Sequence, residues 1–164
     1  MKKLLAAICV LGLVGSASAQ EVVKNGSDSF GVFVGANNFK PSDSESFTGY
    51  SIGGSYTKFL GNNLFVQPSF QYVAAAGSDN DKQVFASIDL GYSFKLENNF
   101  TFSPKAGIGL QHTFGSEGNT RHFVNVGVEV GFSKNWTIAL DRKRLNGDAG
   151  THADITSLSL GYRF

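Results

Sequence analysis

Few residues in this 164-residue chain have the type and spacing that chemistry needs. His112, His122 and His152, with Glu117, Asp148 and Asp154, are of the types that bind zinc or copper. Their spacing matches no ligand signature, and no metal site is assigned. Gly77-Ser78-Asp79-Asn80-Asp81 has the residue types of a calcium loop but lacks the full pattern and its closing Glu, so it reads as a turn. The one cysteine, Cys9, lies inside the apolar run from Leu4 to Val14. Lys2 and Lys3 precede that run and the small residues Ala17-Ser18-Ala19 follow it, the arrangement of a secretory signal peptide spanning 1–19. Its removal takes Cys9 away and leaves 12 basic against 13 acidic residues. A thiolate nucleophile, a disulfide and a nucleic-acid partner are thereby excluded for residues 20–164. The remaining charges of interest are Asp89, Lys105, Glu129, Asp141, Lys143 and Arg163, three acids and three bases.

The elements that carry these residues are strands. Val84, Ala86, Ile88, Leu90 and Tyr92 alternate with Gln83, Phe85, Ser87, Asp89 and Gly91, and Val124 to Phe132 alternates in the same way. Period two means one apolar and one polar face. Leu60-Gly61-Asn62-Asn63-Leu64 recurs after 36 residues as Leu96-Glu97-Asn98-Asn99-Phe100, and after 36 more as Phe132-Ser133-Lys134-Asn135-Trp136. Pro68 and Pro104 share that interval. Asn-rich short connections are hairpin turns, because Asn tolerates positive φ. Four hairpins predict eight strands, over about 29–36, 48–59, 64–74, 83–95, 100–112, 122–132, 136–144 and 155–164. Tight turns then alternate with longer loops at 37–47, 75–82, 113–121 and 145–154, at opposite ends of the sheet. A bulge is expected at each proline, since proline cannot donate to a ladder.

The polar face is mostly Gly, Ser, Thr, Gln and Asn, and only 16% of residues are charged. That suits a crowded interior better than a wetted exterior, which would be rich in Lys and Glu. Apolar side chains facing lipid and polar ones facing in describe a membrane barrel. Phe59, Phe94, Phe100, Phe102, Phe132, Trp136, Tyr162 and Phe164 gather near the tight-turn end, as an interfacial aromatic girdle should.

The final strand places Leu158, Leu160, Tyr162 and Phe164 on one face, and resembles the assembly signal of bacterial outer-membrane barrels. Ser103-Pro104-Lys105-Ala106-Gly107-Ile108-Gly109-Leu110 resembles a strand of small OmpA-like and opacity-type barrels. The resemblance implies an all-β fold, an eight-stranded antiparallel up-and-down transmembrane β-barrel over 20–164, without the OmpA C-terminal domain. It implies a monomer in the bacterial outer membrane, with outer-membrane lipid, lipopolysaccharide and the assembly machinery as partners and no cofactor.

Eight strands leave an interior that side chains can fill. The six charges are expected there, with Asp89 and Glu129 flanking Lys105 as a central plug and Arg163 apart at the tight-turn mouth. Arg142 and Arg144 on the lipid-facing register, and Arg121 at another strand end, are candidate contacts for lipopolysaccharide phosphates. The leading functional expectation is a non-enzymatic barrel of structural or surface-interaction type. A narrow ion or water channel is the alternative. A lipid A deacylase of this class would show His-x-Ser on a lipid-facing strand, but His122 is followed by Phe123 and Val124. A soluble secreted barrel is the remaining reading.

Overall fold

The computed structural model describes residues 28–41, 45–75, 82–96, 100–114, 119–133, 135–146 and 152–164. The proposed signal peptide, the Gly77–Asp81 turn, Glu117 and Asp148 lie outside them. Eight antiparallel strands follow one another in sequence: β1 (Ser29–Pro41), β2 (Phe47–Gly61), β3 (Leu64–Ala75), β4 (Lys82–Tyr92), β5 (Thr101–Phe114), β6 (Asn119–Phe132), β7 (Trp136–Asn146) and β8 (His152–Arg163). After a break at Ser93, Phe94–Lys95 continues β4 along β5. Each strand pairs with its sequence neighbours, and β1 pairs with β8 from Gly31↔Arg163 to Pro41↔Ala153, so the sheet closes on itself.

Closure removes the sheet edge, whose unpaired backbone groups no structure that crosses hydrocarbon can expose to lipid. The side chains divide as the alternation predicts. Ile108 is 69% exposed and Val126 56%, while Asp89 is 1% and Asn125 3% exposed. The apolar face is the outside of the cylinder. Trp136 meets Tyr162 edge-on at 5.2 Å, Tyr162 meets Phe164 at 5.1 Å, and Phe30 stacks on Phe164 at 6.3 Å, which builds the girdle. Phe59 is a correction: it shares the inward register of buried Thr57 and packs on Phe65 at 5.8 Å.

The first tight turn uses left-handed backbone at Asn62 (φ 49°) and Asn63 (φ 64°), preceded by Gly61 (φ 104°) where the register shifts. The strands run further toward the loop end than expected, and the connections there contract to 42–46, 76–81, 115–118 and 147–151. At 11 to 15 residues the main strands match or exceed the roughly 9–11 that a bilayer needs. Beyond the hydrocarbon an outward face has no need to be apolar, which is why alternation failed to mark those ends.

Neither proline makes a bulge. The β2–β3 ladder lacks the two pairs opposite Gln67 and Pro68, yet Ser55↔Ser69 and Lys58↔Val66 hold one register. The ladder of β4 with β5 likewise lacks the pairs at Tyr92 and Ser93 and resumes in register at Phe94↔Phe102. An inward side-chain bond spans each gap: Gln67 Nε2 donates to Thr57 Oγ1 at 2.9 Å, and Ser103 Oγ donates to Ser93 Oγ at 3.1 Å. Thr57 and Ser93 are themselves 36 residues apart, so the repeat carries the proline and its patch together. Thr57→Val should therefore destabilise the barrel by about 1–2 kcal/mol, the cost of stranding a buried amide. Urea unfolding in lipid vesicles measures this, and an unchanged midpoint would show that the patch is idle.

Candidate functional site: a stratified lumen

The inward register of β4 to β8 brings all six predicted charges to the lumen side. Lys105 Nζ lies 3.3 Å from Asp141 Oδ1 and donates to Gln67 Oε1 at 3.1 Å. Glu129 forms an ion pair with Arg163. Asp89 accepts from Asn125 Nδ2 at 2.9 Å and from Ser87 Oγ at 3.3 Å. Lys143 Nζ donates to Gln71 Oε1 and Ser157 Oγ, each at 3.2 Å, and lies 5.7 Å from the centre of the Phe85 ring. Gln71 reaches Ser51 at 2.9 Å and Asn37 at 3.2 Å, and Ser157 donates to Asn37 at 2.6 Å.

This corrects the expected Asp89–Lys105–Glu129 plug. Gly107 stands opposite Asp89 and Gly91 opposite Lys105, while Ser103 stands opposite Glu129. Each hairpin has slipped two residues from the expected pairing. The turn after β4 reaches from Leu96, whose N–H donates to Phe100 O at 2.9 Å, so its centre lies further along the chain. A two-residue slip keeps every side chain on its face but changes its partners. Arg163 is not apart from the cluster, because its guanidinium extends to Glu129.

Two glycines make room for the acids. A Cβ at Gly107 would collide with the Asp89 carboxylate, and one at Gly127 with that of Asp141. The remaining interior cavity is about 50 Å³, room for a few waters among the charges.

A second layer sits on the loop side. Phe39, Val73, Phe85, Phe123, Leu145 and Ile155 are buried together inside the barrel, with Phe47 and Ala153 against them. Phe85 and Phe123 meet at 5.7 Å, edge to face. Sequence reasoning missed this layer. Its signal was present, since Phe85 and Phe123 interrupt the polar register, each toward the loop end of its strand.

The remaining candidates separate. Arg121, expected at another strand end as a further phosphate contact, is half-buried on the inward register of β6 that also holds Phe123, whereas Arg142 and Arg144 face out. His112 Nδ1 lies 2.9 Å from Thr120 Oγ1, and no group of three potential metal ligands occurs among the described residues.

Lys105→Met should cost about 3 kcal/mol, because it leaves Asp141 buried and without its cation. Lys105→Met with Asp141→Leu should cost less than either single change. Additive losses in urea unfolding would show that the two side chains are not coupled.

The closed cylinder and its inverted faces can be compared with known proteins. The fold resembles that of Ail, the attachment invasion locus protein of Yersinia pestis, with a TM-score of 0.57 at 17% identity over 86% of this chain and 100% of that one. Neisserial surface protein A gives 0.56 at 17% identity over 84% and 99%. The outer membrane enzyme PagL gives 0.57 at 14% identity over 83% and 99%. No curated protein sequence matches the chain. Residues 7–164 match the family described as outer membrane protein beta-barrel domain. The chain belongs to that family of small β-barrels of the bacterial outer membrane.

Proposed function

We propose that this protein is a closed, non-enzymatic barrel that serves the outer membrane as a structural or surface-interaction element. The observation that carries the reading is the two-layer lumen. An apolar layer around Phe85 and Phe123 stands over a charged layer around Lys105, Asp141 and Lys143. Water crossing the barrel would have to wet the first and break the second. The cavity of about 50 Å³ holds a few molecules rather than a column. The barrel acts as a monomer in outer-membrane lipid. Its last strand, with Leu158, Leu160, Tyr162 and Phe164 outward, is the part that the assembly machinery engages. Catalysis is set aside because outward His122 has Val124 at the position where a deacylase of this class carries serine.

Single-channel recording in planar bilayers tests the reading. The wild-type protein should show no stable conductance steps, whereas Phe85→Ala with Phe123→Ala should raise conductance at least tenfold. Stable steps from the wild type would favour the channel reading. Lipid A extracted from cells that overproduce the protein should be unchanged, and a missing acyl chain would establish an enzyme.

A further inference from the structure

The six lumen charges balance, but one inward charge stands outside them. Arg121 is half-buried on the inward register of β6. It makes no ion pair among the described residues, whereas outward Arg142 has Asp154 at 2.9 Å. Asn125, the β6 residue that reaches Asp89, lies four residues further along the chain. That is about 13 Å of strand, and buried Phe123 stands between. On the loop side of Asp89 no strand carries an inward carboxylate among the described residues. A charge left without a counter-ion beside an apolar layer is costly.

The neighbours of Arg121 are amides. Gln111 stands directly opposite it, and Thr113 stands opposite both Gln83 and Asn119. Opposed residues on one face hold their Cβ atoms about 5 Å apart. Gln111 is 3% exposed and Gln83 9%. Gln111 donates from Nε2 to Thr113 Oγ1, while its Oε1 is buried without a partner. A half-turn of that amide keeps the bond, with the Thr113 hydroxyl now donating to Oε1, and frees Nε2 for a ligand. Leu145, Ile155 and Phe39, on the loop side of β7, β8 and β1, are apolar and offer an anion nothing.

One fixed positive charge matches one negative charge. A carboxylate has that charge, and its two coplanar oxygens fit the fork of a guanidinium. A phosphate dianion would leave half its charge unmet. We propose that Arg121, with Gln111 and Gln83, binds the carboxylate of a small solute at the outer mouth of the barrel. Arg121 pairs with both oxygens, the two side-chain amides donate to them, and Thr113 positions the amide of Gln111. The mouth is the extracellular end, where the longer connections of such barrels lie. The solute is held above the closed lumen and does not pass through it. The site therefore goes beyond the structural role, and its binding test can fail while the conductance test succeeds.

The test titrates the whole barrel in phosphatidylcholine nanodiscs with sodium acetate, at an ionic strength held constant with sodium chloride. The readout is the NMR signals of the Gln83 and Gln111 side-chain amides. Acetate should move them along one saturating curve and bind at least about tenfold more tightly than acetamide, its neutral counterpart. Arg121→Gln should weaken acetate by about tenfold or more, and Gln111→Leu by about threefold. Lys82→Gln, an outward lysine on β4, should change nothing. Heat-dependent gel mobility confirms that each variant is folded. If Arg121→Gln does not fold, Arg121→Lys replaces it, and the loss of the fork should cost about threefold. Equal shifts from acetate and acetamide, or undiminished binding in the folded Arg121 variant, would overturn the site. Inorganic phosphate that binds more tightly than acetate would overturn the assignment to a carboxylate. Glu117→Gln should bind acetate as the wild type does. Binding that appears only in that variant would give the site to the chain's own loop and overturn the proposal.

Discussion

An amide in hydrocarbon has no water to bond, and an unmet donor there costs several kcal/mol. The cylinder follows from that constraint. Pairing β1 with β8 removes the sheet edge, and Phe164 N–H adds a further bond to Phe30 O at 2.8 Å. The two prolines depart from full pairing. Each leaves a gap in one ladder, and a bond between inward side chains holds the two strands together across it.

Turning the apolar face outward obliges the interior to accept what remains. Three acids and three bases share a space that eight strands barely leave. Charges taken from water are tolerated only with partners in place. Lys105 has Asp141 and Gln67, Arg163 has Glu129, and Asp89 is held by amide and hydroxyl donors. Glycine at 107 and 127 supplies the room that bulkier residues would take from the carboxylates. On the loop side the interior turns apolar, so the lumen changes character along its axis.

Much of this was legible in the chain. Alternation assigned the inner and outer faces, and the Asn-rich turns set the 36-residue repeat. Period two cannot detect a slip of two residues, so Lys105 kept its face and acquired a different acid. Register depends on turn geometry between Leu96 and Phe100, which composition does not encode. The strand ends were hidden because Asn38, Lys40 and Asn146 lie where an outward polar residue no longer signals a loop. Arg121 and Phe59 were misplaced for a simpler reason. Each was sorted by its closeness to a strand end rather than by its parity with buried neighbours.

The central claim concerns which methyl groups touch lipid. Nuclear Overhauser contacts between side-chain methyls and acyl-chain methylenes in nanodiscs test it without altering the protein. Ile88, Val126 and Leu158 should show strong cross-peaks to lipid, and Val73, Leu145 and Ile155 none. Lipid contacts from the second set with silence from the first would mean the barrel is turned the other way, with its greasy side chains packed inside.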